Sequence, residues 1–178
     1  MKMKKVFNLL LFVLCGAFFM IAALGSSSKD SYDGSKYDTS KIYKVGDTLD
    51  CPYFDVSIDR VDIKKKGTSI DSYQVINDAE WIGVILTVKN KSSESRTFYG
   101  SNVDLINSNG EVLDHSWMTY KIWGVEMLNS PELISGGFKT GYIQYANNTD
   151  DNSKLTLRVK CPADLFDDNV TYNVDISQ

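Results

Sequence analysis

Histidine, cysteine and proline are scarce in this sequence: one, three and three among 178 residues. The single histidine, His115, and two well-separated cysteines give no cluster of zinc ligands, because a zinc site gathers three or four protein ligands at one point. A phosphate-binding glycine loop is also missing, since Gly136-Gly137 is not followed by the Lys-Ser/Thr pair and helix that such loops need. We therefore expect no metal and no cofactor.

Basic residues are in the minority once the first 25 residues are set aside. Those residues contain three of the 19 Lys and Arg residues and no acid, which leaves 16 basic against 23 acidic residues and a formal net charge of −7. A nucleic-acid surface needs a basic face that releases counterions from phosphates. We therefore expect no nucleic-acid partner.

The first 25 residues are positive and then apolar. Three lysines within the first five residues precede the segment 6–25, in which Asn8 is the one strongly polar side chain. A helix of twenty residues spans about 30 Å, the thickness of the bilayer's hydrocarbon core. The lysines favour a cytoplasmic start, so the rest of the chain would face outward. A retained anchor is favoured by the apolar length, while a cleaved signal peptide is favoured by the small residues of Ala23-Leu24-Gly25.

Residues 26–41 contain no aliphatic side chain. Such a segment cannot bury enough apolar surface to offset the entropy lost on ordering, so it predicts a flexible polar tether. A tether of this length has a root-mean-square span of about 20 to 25 Å. The folded domain is then expected to occupy residues 42–178, at the outer face of the cytoplasmic membrane.

From Ile42 onward, short apolar runs of period two alternate with Gly, Asn, Asp and Ser. The clearest run is 81–89, which predicts a strand with a core face and a semi-exposed face. A change of phase at Asp59-Arg60 predicts a β-bulge, and Asn109-Gly110 between apolar runs predicts a hairpin. The predicted core residues of the clearest run are Ile82, Val84, Leu86 and Val88; the predicted semi-exposed ones are Trp81, Gly83, Ile85, Thr87 and Lys89.

Seven or eight such strands are expected, with turn residues between them. No part of residues 42–178 has a helical period longer than two turns. Because each strand has one face to bury, the fold class is predicted to be all-β, an antiparallel β-sandwich.

Cys51 and Cys161 are the cysteines that follow the apolar segment. An even number of cysteines outside the cytoplasm indicates a disulfide, and the proline after each one favours extended backbone. The bond would close a loop of about 110 residues and stabilise the fold by about 4 to 5 kcal/mol in the chain-entropy model. Two buried free thiols are the alternative.

The segment 115–129 is rich in large side chains but fits neither a strand nor a helix period. Trp117, Tyr120 and Trp123 are the candidate binding residues, because aromatic rings stack on sugars and anchor protein partners. In the alternative interpretation these rings close one end of the sandwich as core, since large apolar patches are rarely exposed.

His115 is the only candidate general base, and it lies between Asp114 and Ser116. Neighbours in a chain point in different directions, so these three residues cannot form a Ser-His-Asp triad among themselves. A surface histidine at a strand end is the expected role, and a hydrolase built around His115 is a third hypothesis.

Several short motifs occur in the order and spacing of a known family: Val45-Gly46-Asp47, then 86–90 before a Ser-rich turn, then Leu133-Ile134-Ser135-Gly136 before Gly141. In these motifs, residues 42–178 resemble a telokin-like, immunoglobulin-like domain of unknown function found in Gram-positive surface lipoproteins. The resemblance implies an immunoglobulin-like sandwich outside the cell and no particular activity. Two features depart from the family pattern: Ser135 stands in place of a proline, and the apolar segment replaces a lipidation signal.

These observations predict a non-catalytic, membrane-anchored, extracytoplasmic binding domain whose partner is a cell-surface protein. A cell-wall carbohydrate-binding module that uses Trp117, Tyr120 and Trp123 is the alternative. We do not expect an enzyme.

Overall fold

The alternating apolar residues of the sequence form the inner faces of two packed β-sheets. The computed structural model describes residues 36–69, 76, 79–116, 121–148, 154–163 and 169–177, which lie in one compact unit, Asp33–Gln178. These residues contain eleven strands and two 3-10 helices, Gly100–Asn102 and Lys121–Trp123. The strands are β1 (Ile42–Lys44), β2 (Thr48–Asp50), β3 (Phe54–Lys64), β4 (Glu80–Asn90), β5 (Arg96–Thr97), β6 (Val103–Ile106), β7 (Asp114–His115), β8 (Glu132–Leu133), β9 (Phe138–Asn147), β10 (Thr156–Pro162) and β11 (Asn169–Asp175).

The predicted N-terminal membrane segment, 1–25, lies outside the described residues, and so does most of the predicted tether, 26–41. Its last six residues are described, and all but the half-buried Tyr37 are exposed. Within the described ranges, no helix has the length and apolar character needed to cross a bilayer.

The strands form a four-stranded sheet of order β1-β11-β10-β6 and a five-stranded sheet of order β2-β3-β4-β9-β7. The strands β5 and β8 pair separately. The β1–β11 pair is parallel, and the other pairs of strands are antiparallel. The predicted all-β sandwich is confirmed. The strand number is higher than expected because five of the eleven strands have only two or three residues, too few for alternation to be visible.

The core lies between the two sheets. The predicted core residues of β4 are all fully buried, and so are the alternating residues of β10 and β11. Burying an aliphatic side chain of this kind contributes about 1.5 to 3 kcal/mol relative to leaving it in water. These side chains are Ile82, Val84, Leu86 and Val88 on β4, with Leu157, Val159, Tyr172 and Val174 on β10 and β11.

Two local predictions are confirmed. The pairing of β3 with β4 shifts by one residue between Ile58 and Arg60, which is the predicted bulge. The Asn-Gly hairpin is present, with Gly110 at φ +82° and a backbone hydrogen bond of 3.0 Å from Asn107 N–H to Glu111 C=O. Glycine suits this left-handed position because it has no Cβ to clash with the backbone.

The structure contains the Cys51–Cys161 disulfide, with the two Cα atoms 5.4 Å apart and both residues buried. Cys51 follows β2 in the five-stranded sheet, whereas Cys161 lies on β10 in the four-stranded sheet. The bond therefore joins the two layers of the sandwich. Nearby, the Tyr172 hydroxyl donates to the Asp50 carbonyl at 2.8 Å, and thus fastens β11 to the end of β2.

Replacing both cysteines in the double variant Cys51→Ala/Cys161→Ala is expected to lower the free energy of unfolding by about 2 to 5 kcal/mol, because the closed loop is long. Urea unfolding with and without a reducing agent measures the effect. The reductant should destabilise the unmodified chain and leave the double variant unchanged. Equal stability of both proteins under oxidising conditions would contradict the expectation.

Candidate functional site

Of the three aromatic residues predicted to form a binding surface, the structure describes one. Trp117 and Tyr120 lie outside the described residues. Trp123 ends the 3-10 helix Lys121–Trp123 and is only 1% exposed. Its ring is therefore packed inside the protein, as expected if it is part of the core. It offers no face to a ligand in this structure.

Trp123 packs on the outer face of the five-stranded sheet, the face turned away from the other sheet. Its ring lies against Tyr142, with centroids 6.2 Å apart, and against Ile85. Partly buried apolar side chains surround this second, smaller core. They are Trp81, Ile122, Val125 and Met127.

A glycine on β4 makes room for the Trp123 ring. A Cβ added to Gly83 would lie 2.5 Å from Cδ2 of Trp123, far closer than real contacts allow. The expectation that Gly83 and Ile85 are semi-exposed is wrong, because Trp123 covers this face of the strand and both residues are buried. Period-two alternation reports that a strand has two faces, but it cannot show what covers the second face.

Polar contacts hold Trp123 in this position. Its indole N–H donates to the Gln144 side-chain oxygen at 2.7 Å, and the Gln144 amide donates to the Ser116 hydroxyl at 3.2 Å. The Arg60 guanidinium donates to the Trp123 backbone carbonyl at 2.6 Å. A buried tryptophan N–H needs such a partner. The ring is thus fixed both by packing and by hydrogen bonds.

The Gly83→Ala variant is expected to be destabilised by about 1 to 3 kcal/mol, because the new methyl group overlaps the Trp123 ring. A double-mutant cycle with Trp123→Ala, followed by urea unfolding, tests the cause. With the ring removed, Gly83→Ala should lose most of its cost. Gly100→Ala is the control, since its Cβ would meet no atom closer than 3.4 Å. Additive effects of Gly83→Ala and Trp123→Ala would contradict the proposed overlap.

His115 makes structural contacts on β7. Its Nε2 lies 3.0 Å from the Val103 carbonyl oxygen, and its ring packs edge-on against Tyr145 with centroids 4.8 Å apart. The Tyr145 hydroxyl donates to the same carbonyl at 2.7 Å. Burial, reinforced by the charge of Asp104, raises the pKa of Tyr145 well above its ordinary value, so the phenol keeps its proton. The cavity beside His115 has a volume of about 10 Å³, room for a single water molecule.

A buried carboxylate lies on the other sheet. The Asp104 side chain is 11% exposed, and its Oδ2 accepts hydrogen bonds from Arg158 Nη2 at 2.7 Å and from Lys160 Nζ at 2.8 Å. Burial alone would raise the pKa of Asp104, but the hydrogen bonds and charges of Lys160 and Arg158 outweigh it and hold that pKa below its ordinary value. The carboxylate therefore stays charged between its two cations. Nowhere in the described ranges are three His, Cys, Asp or Glu side chains grouped to hold a metal.

The folded pKa of Asp104 is lower than the unfolded one, so its stabilising effect is complete above the unfolded pKa and is lost as pH falls through the folded value. Asp104→Asn removes this titration. Urea unfolding between about pH 6 and pH 2 should show a shallower acid-side loss of stability for the variant, together with lower stability at neutral pH. Parallel curves for the two proteins would contradict the assignment.

Two exposed apolar side chains flank one turn, and no pattern of neighbouring residues indicated their exposure. Ile134 is 71% exposed and Phe138 is 69% exposed, on either side of the Ser135-Gly136 turn before β9. The turn is held in place because the Ser135 hydroxyl donates to the Ser92 carbonyl at 2.7 Å. Gly136 also donates its N–H to the Asn90 carbonyl at 2.9 Å. The Ser135 side chain thus fastens this turn to the segment that follows β4.

Crystal structures of three bacterial proteins are similar to this fold. The yjhA protein of Bacillus subtilis superposes with a TM-score of 0.59 at 20% identity, over 75% of this chain and 99% of that chain. A candidate lipoprotein of Bacillus subtilis, ycdA, superposes with a TM-score of 0.54 at 14% identity, over 74% of this chain and 38% of that chain. The secreted protein MPT63 of Mycobacterium tuberculosis superposes with a TM-score of 0.50 at 14% identity, over 78% of this chain and 97% of that chain. At such identities the likeness shows the fold alone.

A comparison with curated proteins found no match. The model of one protein family does match, over residues 43–171, which is more than half of the chain and nearly all of the β-sandwich. The chain therefore belongs to the family of the domain of unknown function DUF4352.

Proposed function

We propose that this chain is a non-catalytic binding domain that works outside the cytoplasm, with a cell-surface protein as its partner. In this proposal residues 1–25 hold the domain at the outer face of the membrane, and residues 26–41 give it a short reach. The observation that carries the proposal is the buried disulfide between the two sheets.

The disulfide supports an oxidising compartment. Cys51 and Cys161 are distant in sequence, and their bond lies within the core of the sandwich. Structural disulfides form and persist in secreted and surface proteins, whereas the cytosol keeps thiols reduced. The positive and then apolar N-terminus agrees with export. Two proteins of similar fold are described as a candidate lipoprotein and as a secreted protein, which is consistent with the same compartment.

The exposed turn supports a binding role. Ile134 and Phe138 place two large apolar side chains in water at one end of the five-stranded sheet. Exposed apolar side chains that cluster on a folded surface often mark contact sites for other proteins. An aromatic ring contributes a large contact area when a partner covers it.

We also propose that the sandwich is of the immunoglobulin type. In chain order, β3, β4, β6, β7, β9, β10 and β11 would correspond to strands A to G. The order β3-β4-β9-β7 then follows A-B-E-D, and β6-β10-β11 follows C-F-G, as in a constant-type domain. The strands β1 and β2 are additions at two edges. The disulfide also differs, because it joins β10 to the residue after β2 and not to β4. An experimental structure with a different strand order would refute this correspondence.

A carbohydrate partner remains a second candidate, on a different surface from the one expected. Thr48, Ser57, Thr87 and Thr140 form a row of hydroxyl groups across four strands on the outer face of the sheet. At about 4.8 Å per strand the row extends over about 14 Å, comparable to a few sugar rings. Phe138 lies in the neighbouring row, where its ring could stack on a sugar.

The compartment is tested with the full chain carrying a C-terminal epitope tag in Bacillus subtilis. Protease added to intact cells should remove the tag, whereas a variant lacking residues 6–25 should keep it until the cells are lysed. A maleimide reagent should label Cys51 and Cys161 only after reduction in the exported chain. A tag that resists protease on intact cells and is lost only after lysis would refute the extracytoplasmic assignment.

The partner is tested by chemical crosslinking on the same cells. The double variant Ile134→Ser/Phe138→Ser should lose the crosslinked species that the unmodified chain forms, while Ile42→Ser, which replaces an equally exposed residue on β1, should retain it. Purified wall polysaccharide should not compete. Competition by the polysaccharide, lost in Phe138→Ser, would favour the carbohydrate candidate instead.

A further inference from the structure

The second half of β3 has a free edge. β2 pairs with β3 only at 55–57, and the turn that precedes β2 extends this cover to Ile58. From Arg60 to Lys64, β3 pairs with β4 on one side, and no strand of the described residues pairs with it on the other. A free strand edge presents backbone N–H and C=O groups that can pair with another chain.

The direction of these backbone groups follows from the ladder. Ile58 donates its N–H to the Asp47 carbonyl and accepts from Gly46 N–H, so its backbone groups face the side of β2. Because the groups of successive residues alternate in direction, those of Ser57 face β4, where Ser57 is paired with Thr87. The backbone N–H and C=O groups of every second residue of β4, counted from Thr87, therefore point towards β3.

The same alternation places Val61 on the free side. Ile85 and Gly83 follow Thr87 in the alternation along β4, and they pair with Arg60 and Asp62. The backbone groups of Arg60 and Asp62 therefore bond to β4, and the N–H and C=O of Val61 point away from it. By the next step of the ladder, those of Ile63 do so too.

The side chains along this edge leave apolar surface for a partner to cover. Val61 and Ile63 are half-buried, although Val56 and Ile58, on the same face of the same strand, are fully buried. β2 lies beside the first half of β3 and stops before the second half. An added strand would complete the burial of these two side chains.

The edge is basic within an acidic protein. Arg60, Lys64, Lys65 and Lys66 accompany a single acid, Asp62, in a chain whose formal net charge is −4. The Asp62 carboxylate pairs with Arg60 at 3.0 Å, so the excess positive charge of this edge lies on the three lysines. Charges, lysine above all, and bulges also protect strand edges from unwanted pairing, and both occur here. Such protection acts against neutral and basic strands. Against an acidic strand the same charges become attractive and select the partner.

We propose that the free edge of β3 at residues 60–64 binds an extended acidic segment of a partner protein as an added antiparallel strand. This assignment rests on the proposed binding function and adds a second contact surface, separate from the turn that carries Ile134 and Phe138. A second copy of this chain fits poorly, since antiparallel pairing about Asp62 would place Arg60 opposite Lys64, and like charges opposite each other are destabilising.

The probe is a capped peptide with the central sequence Glu-Val-Thr-Val-Glu, which sets acids opposite Arg60 and Lys64 and valines opposite Val61 and Ile63. Binding to the full chain in nanodiscs is measured by fluorescence anisotropy. N-methylation of both valines should weaken binding about tenfold or more, because it removes the N–H groups that bond to the free edge. N-methylation of the threonine, whose N–H points outward, is the matched control and should change binding little.

Variants of the chain test the same edge. Val61→Pro removes a backbone N–H donor on the free side and leaves the pairing with β4 in place. It should therefore weaken the binding of the peptide by about tenfold. Lys64→Glu should weaken it several-fold, whereas Lys154→Glu, exposed before β10 in the other sheet, should not. Thermal unfolding shows whether each variant is folded, and the methylated peptides give an answer that needs no variant.

Hydrogen exchange locates the contact. The peptide should slow exchange at the amides of Val61 and Ile63. No binding at millimolar peptide, equal binding of the two methylated peptides, or protection confined to β1 or β6 would overturn the proposal. These results are independent of the compartment, so a chain that fails the protease test can still bind the peptide. Conversely, if the chain is exported but does not bind the peptide, only the proposed binding at the β3 edge is refuted.

Discussion

The burial of β4 on both faces is the constraint on which the rest of the structure depends. β4 pairs with β3 on one side and with β9 on the other along nearly all of its eleven residues. Its inner face is covered by the second sheet, and the middle of its outer face, at Gly83 and Ile85, is covered by Trp123. Antiparallel sheets commonly leave one face to water. Here the chain returns over that face at Trp123 and then pairs with the edge of β9, where Tyr142 donates its N–H to the Glu126 carbonyl and accepts from the Leu128 N–H.

The parts of the fold that could be predicted are those encoded by neighbouring residues. Alternation predicted β3, β4, β10 and β11, and a phase change predicted the bulge before Arg60, because each signal lies within one strand. The burial of Trp123 was not predictable in this way. Its position depends on Gly83, which is distant in sequence and whose contribution is the absence of a side chain. The shortest strands were missed because two or three residues show no period.

The candidate site was less predictable than the fold, since residue type alone does not decide exposure. A tryptophan such as Trp123 suits both a binding surface and a core, and only the shape of the surrounding sheet chooses between them. The opposite case is Phe138, an aromatic residue that is exposed at the start of a long strand. It lies on the outer face with Lys89 as its neighbour across the ladder, and neither residue belongs to the cluster around Trp123.

The free edge of β3 results from the path of the chain between the sheets. The sandwich starts in the four-stranded sheet with β1, and the chain then turns at Gly46 and joins the five-stranded sheet only at Thr48. Because β2 runs antiparallel to β3 and starts opposite Ser57, it can cover only the residues of β3 that precede the bulge. Cys51 then holds the end of β2 against β10. The disulfide and the crossing from sheet to sheet thus fix how much of β3 is covered by β2, and among the described strands none pairs with residues 60–64 on that side.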